Sequence, residues 1–198
     1  MNEGIFPGGS GPAFSALIDP IASTAQDAAA SAGPVRIGLA PEAARFSLRI
    51  SPQAVAAADE AFALALPRRI GARAQSGGRS ALMLGPDEWA LRAPMVEAEA
   101  IEAAFAALAA PHSLVEVSAR EVAIMLEGAR AAELLTIACP RDLRRFAVGE
   151  GRRTIFDSVA IVLEREAEDA FRIEVWRSFA PHVLRFLSTG NREFGIGL

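Results

Sequence analysis

The chain has 198 residues, is 52% hydrophobic, and sets 20 basic against 24 acidic side chains for a formal net charge of −4. That length and apolar content suit one domain or two small, closely packed subdomains, and the charge balance argues against a general nucleic-acid surface. Every basic residue is Arg and the chain has no Tyr, which excludes Schiff-base chemistry, a phosphate-loop lysine and a tyrosine acid together.

Arg, Glu or Asp interrupts every apolar stretch, so no membrane span is expected. The N-terminus lacks the charged and apolar regions of a secretory signal. A single cysteine, Cys139, cannot form an internal disulfide, and a reducing cytoplasm is the expected compartment.

Residues 1–44 read as an irregular N-terminal extension. Gly4 to Pro12 is too rich in glycine and proline for a helix or strand, and Ala, Ser and Gly dominate through Pro34. Yet Ile5, Phe6, Phe14, Leu17, Ile18 and Ile21 are scattered through it and should find an apolar surface. The body, 45–112 and 113–198, reads as two α/β repeats. Phe46, Leu48 and Ile50 alternate as a strand, and a helix follows from Ser51 and Pro52 to a stop before Pro67. Strands over 81–84 and 89–92 flank a Pro86-Asp87 turn, and a helix over 96–109 places Ile101, Phe105 and Leu108 on one stripe.

The second repeat begins with the apolar strand 122–126 and a helix opened by Gly128 that stops at Cys139-Pro140. Strands over 159–163 and 171–175 follow, then a last helix with Ser178 at its cap. Strand, helix, proline stop, two strands and helix thus occur twice. The expected fold is α+β: a duplicated α/β unit with mostly antiparallel sheets and packed helices.

Chemistry-bearing clusters are sparse. His112, in a loop, and His182, in the last helix, are isolated, and no metal-ligand spacing occurs. Cys139 reads as a small buried apolar residue. Neither glycine-rich stretch has the strand-to-helix context of a phosphate loop, and no nucleophile-elbow serine motif occurs. No catalytic, cofactor-binding or metal residue is therefore assigned. The features that stand out are arginines, Arg141, Arg144, Arg145, Arg152 and Arg153, whose guanidinium forks suit an anionic partner. Trp176, placed by strand alternation on the face of Arg172 and Glu174, is a further contact candidate; it and Trp89 occupy corresponding places in the two repeats.

The ordered set Leu84-Gly85-Pro86-Asp87-Glu88-Trp89, Ser118, Arg120, Gly128, Ala131, Leu135, Cys139-Pro140-Arg141-Asp142-Leu143, Phe146, Gly149, Thr154, Arg177-Ser178-Phe179 and Phe194-Gly195 resembles the gamma subunit family of heterotetrameric sarcosine oxidase. The resemblance implies the folate-binding aminomethyltransferase fold. It also implies alpha, beta and delta partner subunits carrying FAD, FMN, NAD and tetrahydrofolate, in a complex that demethylates sarcosine oxidatively to glycine. The K-G-C-[YF]-x-G-Q-E segment of folate-dependent relatives is missing. The leading expectation is a non-catalytic structural or assembly subunit, with no nucleic acid or membrane partner. The alternatives are a folate-binding or anionic-ligand-binding module, with the arginine cluster holding a glutamyl tail, and a free-standing aminomethyltransferase-like protein.

Overall fold

The computed structural model describes residues 20–196. Ile5, Phe6, Phe14, Leu17 and Ile18 lie outside them. Helix α1 (Pro20–Ala29) and strand β1 (Arg36–Leu39) come first, followed by β2 (Ala44–Ile50), α2 (Val55–Phe62), β3 (Arg73–Ser76), β4 (Arg79–Gly85), β5 (Glu88–Ala93), α3 (Ala98–Ala106) and β6 (His112–Glu116). The second half runs β7 (Glu121–Glu127), α4 (Ala131–Leu135), β8 (Gly151–Phe156), β9 (Val159–Ala167), β10 (Ala170–Trp176) and α5 (Ala180–Gly195).

The strands form two five-stranded sheets, ordered β3-β4-β5-β2-β6 and β8-β9-β10-β7-β1, with every neighbouring pair antiparallel. The orders are equivalent position by position, so the expected duplication is present. One exchange breaks it: the edge that β6 fills from the end of the first unit is filled in the second sheet by β1, from the chain's beginning.

Period-two patterning gives each sheet one apolar face. In the first, Phe46, Leu48 and Ile50 of β2 and Trp89 and Leu91 of β5 pack under Val55, Ala58 and Phe62 of α2 and Ile101 and Phe105 of α3. In the second, Ile124 and Leu126 of β7 and Phe171, Ile173 and Val175 of β10 pack under Leu134 and Leu135 of α4 and Val183, Leu184 and Leu187 of α5. Helices therefore cover the two outer faces, and the inner faces of the sheets meet each other.

The expected irregular segment before residue 45 is regular over much of its described part. α1 is rich in alanine, a strong helix former whose small side chain permits close approach to α5. Ile21, Ala25 and Ala28 enter the second core. β1 pairs with β7 in register, Ile37 opposite Leu126. The lead-in to β1 is held by fully buried Asn191 of α5: its Oδ1 accepts from Val35 N at 3.0 Å, and its Nδ2 donates to Val35 O at 2.8 Å and to Ser31 Oγ at 3.0 Å. The side-chain amide thus satisfies Val35 much as a neighbouring strand would. Propensity reading missed this because the supporting groups are more than 150 residues away in sequence.

Smaller differences are also local. Residues 151–156, to which the sequence reading assigns no strand, form β8 because they find β9 as a partner. His112 lies on β6, not in a loop. Phe179, rather than Ser178, occupies the cap position of α5, without a side-chain cap bond. Trp89 and Trp176 are not equivalent: Trp89 faces Leu48 across β2–β5, whereas the corresponding partner of Ile124 across β7–β10 is Ile173, three residues before Trp176.

Candidate functional site

The strand faces turned away from the helices carry charge, and those charges meet between the sheets. Arg45 of β2, Arg73 of β3 and Arg92 of β5 face Glu164 and Glu166 of β9 and Glu174 of β10, which also bears Arg172. Glu174 is the hub: it accepts from Arg45 Nε at 2.9 Å, Arg172 Nε at 2.7 Å and Arg92 Nη1 at 3.1 Å. Arg92 also grips Glu164 with both terminal nitrogens, and Arg73 pairs with Glu164 and Glu166. Burial alone would raise the Glu174 carboxyl, but Arg92, Arg172 and Arg45 together outweigh it and hold the pKa at about 2. Burial likewise works against the Arg92 cation, and Glu164 and Glu174 more than offset it.

Beside this layer an open cleft of about 570 Å³ lies between the β3–β4 hairpin and the segment leading into β2. Arg79, Arg92, Arg172, Glu42 and Glu166 line it, with the Gly77 and Gly78 turn at its rim. Both turn glycines have positive φ, +57° and +81°, which suits the two-residue hairpin.

The sequence-predicted contact residues separate into groups. Arg141 lies over the Phe146 ring at 5.5 Å, Arg144 is exposed and pairs with Asp142 at 3.0 Å, and Arg145 is exposed without a side-chain hydrogen bond among the described residues. Arg152 and Arg153 of β8 are engaged within the chain. The Arg152 guanidinium lies against Gly71, where φ is +84° and no side chain would fit without displacing it. Arg153 forks onto Glu88 at 2.6 and 3.1 Å, and the Arg153 hydrogen bond lowers the Glu88 pKa. Trp176 is 49% exposed, tilted against 46%-exposed Phe179 at 6.3 Å, with Arg120 over its ring at 5.1 Å. Trp89, by contrast, is fully buried and donates from Nε1 to Pro67 O at 2.9 Å.

Sequence reading missed the ionic layer. Its signal is the alternation of charge on β9 and β10 (Glu164, Glu166; Arg172, Glu174), a pattern identical to that of a solvated strand face. Among the described residues no group of three or more His, Cys, Asp or Glu is placed to hold a metal, and no helix is long and apolar enough to cross a membrane.

The two duplicated units resemble the fold of an aminomethyltransferase. The aminomethyltransferase T of the glycine cleavage system from Bartonella henselae superposes with a TM-score of 0.62 over 83% of this chain and 48% of that one, at 16% identity, a likeness of fold alone. A heterotetrameric sarcosine oxidase from Corynebacterium sp. U-96, solved in complex with pyrrole 2-carboxylate, matches more fully: TM-score 0.79, 30% identity, 89% of this chain and 95% of that one. The sarcosine oxidase subunit gamma of Corynebacterium sp. (strain P-1) is 32% identical over 142 residues, 70% of either chain, and that of Arthrobacter sp is 30% identical over the same length. The family model for the sarcosine oxidase gamma subunit matches residues 49–193. The chain belongs to the sarcosine oxidase gamma subunit family.

Proposed function

We propose that this chain is the non-catalytic gamma subunit of a heterotetrameric sarcosine oxidase-like complex, acting in its assembly. The observation that carries the reading is the match, over 89% of the chain, to a chain of a heterotetrameric sarcosine oxidase. In this reading the alpha, beta and delta subunits bear the flavins, NAD and folate, and oxidise sarcosine to glycine with transfer of the one-carbon unit. The internal chemistry agrees: the buried charged groups pair with one another across two sheets, an arrangement that fixes how the units pack.

The contact surface is assigned to Trp176, with Phe179 and Arg120, and to the loop carrying Arg141, Arg144 and Arg145. A half-exposed tryptophan under a guanidinium combines apolar area with a fixed cation, the composition of interface hot spots. Arg152 and Arg153 contribute indirectly by holding β8 against the first sheet. Co-expression with the three larger-complex genes followed by size exclusion tests the assignment. Wild-type chain should co-elute with its partners, and the Trp176→Ala, Phe179→Ala double variant should be depleted at least fivefold while retaining its melting temperature. Sarcosine-dependent peroxide formation by the purified chain alone would overturn the non-catalytic reading.

A further inference from the structure

The ionic layer is unbalanced where it opens. Arg45, Arg73, Arg92 and Arg172 are four cations against three carboxylates, Glu164, Glu166 and Glu174. Arg172 is the surplus member. It shares Glu174 with Arg45 and Arg92, and its Nη1 reaches only the thioether sulfur of Met125 at 3.6 Å, a weak acceptor. Its Nη2 has no acceptor among the described residues. Because no buried side-chain nitrogen or oxygen among the described residues lacks a partner, that nitrogen is solvent-accessible, and Arg172 lines the open cleft.

Among the other cleft-lining cations, Arg79 is held by Glu97 and the Phe62 carbonyl, and Arg92 by Glu164 and Glu174. The carboxylates of Glu42 and Glu166 stand in the same walls and oppose a large or multiply charged anion. Glu166 is already paired with Arg73, and Glu42 makes no ion pair among the described residues. We propose that this cleft binds a small, singly charged carboxylate, with Arg172 as its anchoring cation and Glu42 limiting the charge it accepts. A guanidinium with one edge fixed by Glu174 and another edge open is pre-set for charge-assisted bonding.

The test uses the full chain, labelled with ¹⁵N, titrated with sodium acetate, sodium phosphate or sodium chloride at matched ionic strength, since screening alone moves surface resonances. Acetate should produce saturable shifts at the Gly77 and Gly78 amides with a Kd on the order of 1–10 mM. Phosphate should bind more weakly, and chloride should give no saturation. Arg172→Met should weaken acetate binding at least tenfold, and Glu42→Gln should tighten it at least threefold. Because Glu42 is exposed, that second variant remains decisive if the first fails to fold. No saturation by acetate, tighter binding of phosphate, retained binding in folded R172M, or unchanged affinity in E42Q would each overturn the proposal.

Discussion

Replacing Glu174 by Gln removes the charge on which three guanidiniums converge while keeping the shape of the side chain. Arg45, Arg92 and Arg172 have side chains only 6, 14 and 13% exposed, and Glu174 itself is 8% exposed. Without the carboxylate, the Arg45 guanidinium keeps only neutral acceptors such as Ala43 O at 3.1 Å, and no ion-pair partner among the described residues. A buried ion group that loses one partner is destabilised by about 3–5 kcal/mol, because the remaining charge cannot return to water. At about 2–4 °C per kcal/mol for a chain of this size, E174Q should lower the melting temperature by roughly 6–20 °C. Arg172→Met provides the contrast: it removes the surplus cation and leaves three arginines facing three carboxylates, so it should cost less than about half as much. Urea unfolding at pH 7, followed by far-ultraviolet circular dichroism, measures both. An E174Q protein within about 1 kcal/mol of wild type, or an R172M protein less stable than E174Q, would refute the view of Glu174 as the hub.

The acid response follows from the same residue. Its folded pKa of about 2 lies below the ordinary 4.5, so its stabilising contribution is present above about pH 4.5 and is lost as pH falls toward 2; melting curves from pH 6 to 2.5 should show that loss, and E174Q should flatten it. Asn191→Ala should leave the Val35 N–H and C=O without their partners, at about 1–3 kcal/mol per group, and speed hydrogen exchange over 20–40 more than in β2 to β5. Deleting residues 1–33 should lower stability measurably, because it removes Ile21, Ala25 and Ala28 from the second core. Gly128→Ala should cost about 1–3 kcal/mol, since φ is +143° and a Cβ would stand 2.6 Å from the Pro34 carbonyl oxygen, and a thermal melt reads it directly. Acrylamide should quench Trp176 and spare buried Trp89, so Trp176→Phe should abolish the quenchable emission.

The sequence by itself determined the repeated unit, the apolar rows of β2, β7, β9 and β10, and the family, because these depend on spacing within one element or on ordered local motifs. The block from Leu84 to Trp89 shows why such motifs are legible: the Pro86-Asp87 turn, the Asp87–Arg49 pair at 2.9 Å and the burial of Trp89 lie within one hairpin and its neighbouring strand. Tertiary structure decided the rest. β1 became a strand only because β7 offered an edge and Asn191 supplied hydrogen bonds, neither visible from Arg36 to Leu39 alone. Arg172 and Glu174 alternate as a solvated face would, yet a second sheet bearing Arg45 and Arg92 covers them. Periodicity tells which side chains share a face; only the packing of the whole chain decides whether that face meets water or an opposing set of charges, and so whether those charges are weakly screened surface groups or a buried, tightly coupled layer.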